Sequence, residues 1–121
     1  MRTVKVFIPI KLQSPNVQEH WTKKHRRNKR HQHAVALVLR QPLNGIKLPA
    51  AITLTRVASR HLDYDNMVYS FKAIRDQLAV LLTGVKKMGQ GDSDPRITWR
   101  YDQERQAKGQ ISGISITVEE T

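Results

Sequence analysis

Asp65-Asn66-Met67-Val68-Tyr69-Ser70-Phe71-Lys72-Ala73-Ile74-Arg75-Asp76-Gln77-Leu78-Ala79-Val80-Leu81-Leu82-Thr83-Gly84 is the stretch whose reading decides the fold. Within it Met67, Phe71, Ile74, Leu78 and Leu81 recur at spacings of 4, 3, 4 and 3. That is the period of one face of an α-helix, so an amphipathic helix is predicted over about 66–83. Asp65 suits its N-cap and Gly84 the position just past its end.

On the N-terminal side, Ala50–Val57 reads as a strand, with Ile52 and Leu54 alternating against Thr53 and Thr55. Further back, Val4, Val6, Ile8 and Ile10 share one face of a first strand that Pro9 places near a sheet edge. A turn is predicted at Gln13-Ser14-Pro15-Asn16. The segment from His20 to His33 then merges into a helix whose Ala34, Leu37, Val38 and Gln41 lie on one face, stopped by Pro42. On the C-terminal side, Lys86–Gly91 is a basic loop. Ile97–Tyr101 and Ile114–Glu119 read as final strands, joined across 102–113 as a closing hairpin. The order β-α-β-α-β-β predicts a small α+β (mixed α/β) fold, one domain over 1–121, with a mixed sheet covered by two helices.

Composition fits one soluble globular unit: 121 residues, 39% hydrophobic and 26% charged. The absence of cysteine excludes disulfides, thiolate zinc sites, iron–sulfur clusters and a cysteine nucleophile. No apolar run reaches the ~18 residues that span a bilayer, and a cytoplasmic protein without a membrane partner is expected. The net charge of +11 makes a polyanion the leading partner. It is concentrated: residues 1–62 hold 13 Lys and Arg against Glu19 alone, a net +12, whereas 63–121 carry 8 bases and 9 acids, a net −1. Six of the bases, Lys23, Lys24, Arg26, Arg27, Lys29 and Arg30, stand in one acid-free run as candidate phosphate contacts, joined by Arg56 and Arg60. The four histidines of 20–33 match no ligand spacing, and their cationic neighbours oppose a metal. Trp21 has the chemistry to stack on an exposed base, against which stands the plainer reading of a core or dimer-interface tryptophan. Ser14, Ser59 and Ser70 lack the context of a nucleophile, and no glycine-rich phosphate loop is present.

Four of the acids fall in two tight pairs, Asp63/Asp65 and Asp92/Asp94. Singly, each reads as a solvated residue or a helix cap. Together, beside a phosphate-binding surface, they repel the ligand unless a divalent cation bridges them. In an extended approach to the helix, positions i and i+2 point the same way, so Asp63 and Asp65 can reach one ion. Hard oxygen ligands favour Mg²⁺, with Mn²⁺ possible, over zinc.

Asp63-Tyr64-Asp65-Asn66 opening a helix and Asp92-Ser93-Asp94-Pro95-Arg96-Ile97 before the last strands resemble the RusA family of Holliday junction resolvases. That family also has an early strand, a basic segment leading into a helix, and a last hairpin, which Lys108-Gly109 and Ile114-Ser115-Ile116-Thr117 look like. The likeness is at the level of motifs and extends over nearly the whole chain. It implies a magnesium-dependent endodeoxyribonuclease of DNA recombination and repair, working as a homodimer that cuts four-way DNA junctions symmetrically. Asp63, Asp65 and Asp94 match its metal-binding carboxylates, with Asp92 one residue out of step. The sequence departs where the family places a lysine four residues after the second Asp of D-x-D: Tyr69 stands there. Lys72, one turn further, either leans back towards the metal site as a catalytic group or forms an i,i+4 surface pair with Asp76; Lys86 and Lys87 are further candidates.

Two rivals stand beside this reading. One is a non-catalytic basic nucleic-acid-binding module, for which the acid pairs are coincidence. The other is a degenerate family member that binds junctions without cutting, as Tyr69 would allow. For the homodimer, Val80, Leu82, Trp99 and Ile116 are the interface candidates, each with an equally good reading as core.

Overall fold

The computed structural model describes residues 1–14 and 18–121, so part of the turn expected at 13–16 lies outside the described residues. The elements run β1 (Thr3–Ile8), α1 (Trp21–Leu39), β2 (Ala50–Ala58), α2 (Tyr64–Ser70), α3 (Lys72–Thr83), a 3₁₀ turn (Gly91–Ser93), β3 (Ile97–Arg105) and β4 (Gly113–Glu120). This is the expected α+β order, with three helices in place of two.

The extra helix comes from a break at Phe71, which sits at φ −88°, ψ 0°. There the Ser70 hydroxyl donates to the Met67 carbonyl at 2.6 Å, and the Phe71 amide turns to Val68, three residues back. Both compete with the regular i to i−4 ladder. The apolar stripe survives the break: Met67, Phe71, Ile74 and Leu78 are all buried. Gly84 ends α3 in the left-handed region at φ 74°, where its missing Cβ costs nothing. The N-terminal end differs from expectation. Asp63, not Asp65, is the N-cap, and Asp65 lies inside the first turn.

The sheet order is β1-β4-β2-β3, with β2 and β3 parallel and the other pairs antiparallel. β3 and β4 are therefore not the expected hairpin. β4 turns Ile114, Ile116 and Val118 into the core and takes an interior place between β1 and β2. β3 pairs with β2 as a strand–helix–strand crossover, since parallel strands need a long connection and α2–α3 supply it. The alternation Arg100, Asp102, Glu104 on β3 suits an edge strand. Gly113 is required where β4 begins: a Cβ there would lie 2.5 Å from the Ile8 carbonyl oxygen of β1.

The core lies between the sheet and the helices, around Ile52, Leu54, Phe71, Ile74, Leu78, Ile114 and Ile116. α1 contributes Val35, Ala36 and Leu39, not the expected face: Leu37 is 69% exposed and Val38 is exposed too. Val35 and Leu39 continue a partly buried row of Asn28, His31 and Gln32, so the inner face of α1 is polar for most of its length. Ile116 is buried completely, which removes it from the dimer-interface candidates; Leu82 and Trp99 pack against the core but stay partly exposed, and Val80 is half-buried. No helix among the described residues is long and apolar enough to cross a membrane.

Candidate nucleic-acid interface and acidic network

α1 begins where the His20 ring accepts the Thr22 amide at 3.3 Å, so a histidine takes the place of the usual Ser or Asp cap. Lys23, Arg26, Lys29 and Arg30 then lie on its exposed side. Arg27 does not join them. It turns inward to Glu19 at 2.6 Å, with side chains only 14% and 10% exposed, which makes this pair an anchor for the start of the helix. Lys24 is partly buried, its ammonium 5.5 Å from the centre of the Tyr69 ring. The position where the resemblance places a lysine is thus an aromatic ring faced by a lysine from another helix. Arg60 is exposed, whereas Arg56 is 8% exposed and bonds the Arg60 carbonyl at 2.6 Å. Burial lowers the pKa of Arg56 from its ordinary value. Arg56 is a strand residue and not a surface phosphate contact.

Between α1 and the α2–α3 junction lies a cleft of about 210 Å³, with Lys24, Arg27, His31, Tyr69 and Lys72 among its walls. Burial, and then the charges of Arg27 and Arg30, hold the His31 imidazole below its usual range.

The expected carboxylates do not converge. Among the described residues, no three of His, Asp and Glu come together as a metal cage. Asp63 starts α2 and accepts a hydrogen bond from Asn66. Asp65, inside the helix, is exposed. Because the helix begins before Asp65, the extended geometry that would aim both carboxylates one way is absent; on a helix, i and i+2 diverge. The Leu62 backbone just before them is clasped by the Gln103 side chain. Asp92 lies towards the start of β3: its carbonyl accepts the Trp99 indole N–H at 3.0 Å. Four residues of strand separate those two levels, roughly 13 Å.

Asp92 is instead held by cations. Lys72 Nζ lies 2.8 Å from Asp76 and 3.1 Å from Asp92, so the expected Lys72–Asp76 pair forms and recruits Asp92 as well. The Asp76 hydrogen bond is the first cause that raises the Lys72 pKa; partial burial opposes it, and Asp92 adds to it. Arg75 completes the network. Its Nε is 3.3 Å from Asp92, it donates to the Tyr101 hydroxyl at 2.7 Å and the Asp92 carbonyl at 3.2 Å, and it covers the Trp99 ring at 4.7 Å. Sequence reasoning misses Arg75, although its i+3 spacing from Lys72 on one helix was the available signal. Asp94 is gripped in a fork by Arg96, at 2.8 and 3.1 Å, and also accepts the Arg96 amide. These bonds pull its pKa down to about 2. Lys86 and Lys87 are exposed in the loop after α3.

The donor set therefore fits a hard divalent ion in part. Asp63 and Asp65 are exposed carboxylates of the right kind, and Mg²⁺ commonly takes only one or two from protein and the rest from water and phosphate. Asp92 and Asp94 already have cationic partners and do not fit that role as they stand. Comparison of the chain with protein-family models, curated proteins and solved structures gives no match.

Proposed function

We propose that this chain is a structure-selective DNA-binding protein acting on four-way junctions, and a divalent-cation-dependent endonuclease, as the likeness to the RusA family implies. The observation that supports it is that α1, whose outward side is cationic, packs against α3, and α3 follows directly on α2, the helix that Asp63 caps and whose first turn carries Asp65. Lys23, Arg26, Lys29, Arg30 and Arg60 hold phosphates by charge, which supplies affinity without sequence preference. Asp63 or Asp65 would supply a single carboxylate to Mg²⁺, with water and phosphate completing its shell. When bound, such an ion supplies an activated water and neutralises charge on the leaving oxygen. Lys72, tied to Asp76 and Asp92, fixes the 3₁₀ turn against α3 and acts as a positioning group. A homodimer supplies two equivalent sites for a two-fold symmetric junction.

A specific observation supports a second reading, junction binding without cleavage. Two of the four expected carboxylates are held by Lys72, Arg75 and Arg96, and Tyr69 replaces the expected lysine. One experiment separates the two. A synthetic four-way junction is incubated with native protein and with Asp65→Asn, in Mg²⁺ or in chelator. The nuclease reading expects paired cuts by the native protein in Mg²⁺ only, and binding without cuts by D65N. Binding without cuts by the native protein in every condition selects the second reading. Normal cleavage by D65N removes Asp65 from the site.

A further inference from the structure

Trp21 stands in the open. It is 71% exposed, so the core reading of this residue does not hold. It is the first residue of α1, and the His20 ring stacks on it with centroids 5.9 Å apart and planes 29° from parallel. His20 is itself fixed, its Nδ1 2.7 Å from the Thr22 hydroxyl as well as capping the helix. The indole is therefore backed by a second ring that the helix start holds in place. One turn along α1, Lys24 lies on the same side as Trp21 by its i+3 spacing and reaches the Tyr69 ring of α2. Tyr69 is 56% exposed.

We infer that Trp21 and Tyr69, with Lys24 between them, form a stacking platform for unpaired bases of the nucleic acid that α1 grips. The inference rests on the nucleic-acid reading above and adds to it which part of the ligand is recognised. Alternation of aromatic faces with ammonium groups is the chemistry that single strands recruit: rings take the bases and cations take the phosphates between them. A paired base already has both faces covered by its neighbours, so the platform serves strand ends, gaps and branch points, where bases are open. The charge around it argues for this occupant. Lys24 shares the side of Trp21 on the helix, and no acid stands anywhere between residues 20 and 33. A second copy of the same face would bring like charges together, whereas a polyanion neutralises them.

The test measures binding of native protein, Trp21→Ala, Trp21→Phe and Tyr69→Ala to an oligothymidine single strand and to a duplex of equal length. The quantity read is the ratio of the two affinities. W21A is expected to reduce the single-strand preference about tenfold, Y69A by a smaller factor, and W21F to restore most of it. Both side chains are exposed, so thermal unfolding of the variants checks that the fold is intact. Stacking also predicts quenching of tryptophan fluorescence by oligothymidine in the native protein, and its loss in W21A although Trp99 remains. An unchanged ratio in W21A overturns the platform. A change of sedimentation behaviour in W21A with no change of ratio overturns it in favour of a protein interface. Native protein that binds neither DNA overturns both this inference and the reading beneath it, whereas binding of both DNAs with no dependence on Trp21 overturns this inference alone.

Discussion

At the scale of single residues, the inner side of α1 sets the chemistry of the cleft. Arg27 and Arg30 lie close enough to His31 to oppose its protonation, and burial opposes it more. The folded state therefore keeps the imidazole neutral at a pH where the unfolded chain already binds a proton. A base whose folded pKa is depressed stabilises fully above its unfolded value, near 6.5, and loses that contribution as pH falls through the folded value. Urea unfolding between pH 7.5 and 5 is expected to show native stability falling more steeply than that of His31→Gln. Parallel curves for the two proteins would remove His31 as the cause. Asp94 has the same sign at a different pH. Its depressed carboxyl contributes above the ordinary carboxylate range, and the contribution is lost as pH falls towards about 2. That carboxyl lies at the surface, partly covered by the exposed Arg96 that holds it, so the difference between native protein and Asp94→Asn is expected to be small and confined to pH below about 4.

At the scale of elements, the two apolar helical segments behave differently under substitution and in the sequence. Leu39 of α1 is buried completely, and truncation to alanine is expected to cost about 3 kcal/mol. Leu37, two residues away and 69% exposed, should change stability by less than about 0.5 kcal/mol on the same truncation. Chemical denaturation of L39A and L37A measures both, and equal losses would overturn the rotation of α1 described above. The stripe of α2–α3 was legible because its apolar residues alternate with polar ones at helical spacing. The inner face of α1 was not, because most of it is polar: Arg27 is neutralised by Glu19, and Gln32 bonds the Ala73 carbonyl of α3. Where apolar residues do appear, from Ala34 to Leu39, they surround the helix and mark no direction. The strands were legible by alternation but their neighbours were not. Sequence proximity suggested pairing β3 with β4, whereas β4 pairs with β1 on one edge and β2 on the other and so lies inside the sheet. The acidic pairs were legible as pairs. Their separation was not, because it depends on where α2 begins and on the cations of α3 that reach Asp92 through the fold.

At the scale of the whole molecule, the +12 of the N-terminal half is not all available to a ligand. Arg27 is committed to Glu19, Arg56 is buried in β2, and Arg2 bonds the Asn44 and Pro42 carbonyls. On α1 that leaves Lys23, Arg26, Lys29 and Arg30 as fully outward charges, four in place of the six in the sequence run. If all four meet phosphates, log K against log[salt] for duplex DNA falls with a slope of about −3.6 from this helix. Each of Arg26→Ala and Lys29→Ala should reduce that slope by about 0.9. Arg27→Ala belongs to a different class. It leaves Glu19 charged and nearly enclosed, so a loss of stability of about 3 kcal/mol is expected. Its salt slope should stay that of the native protein, provided the titration is run where the variant is folded. Duplex affinity measured from 50 to 300 mM salt for the three variants and the native protein decides the matter. A reduced slope in R27A would return Arg27 to the DNA face, and unchanged slopes in both R26A and K29A would move the phosphate grip off α1 altogether.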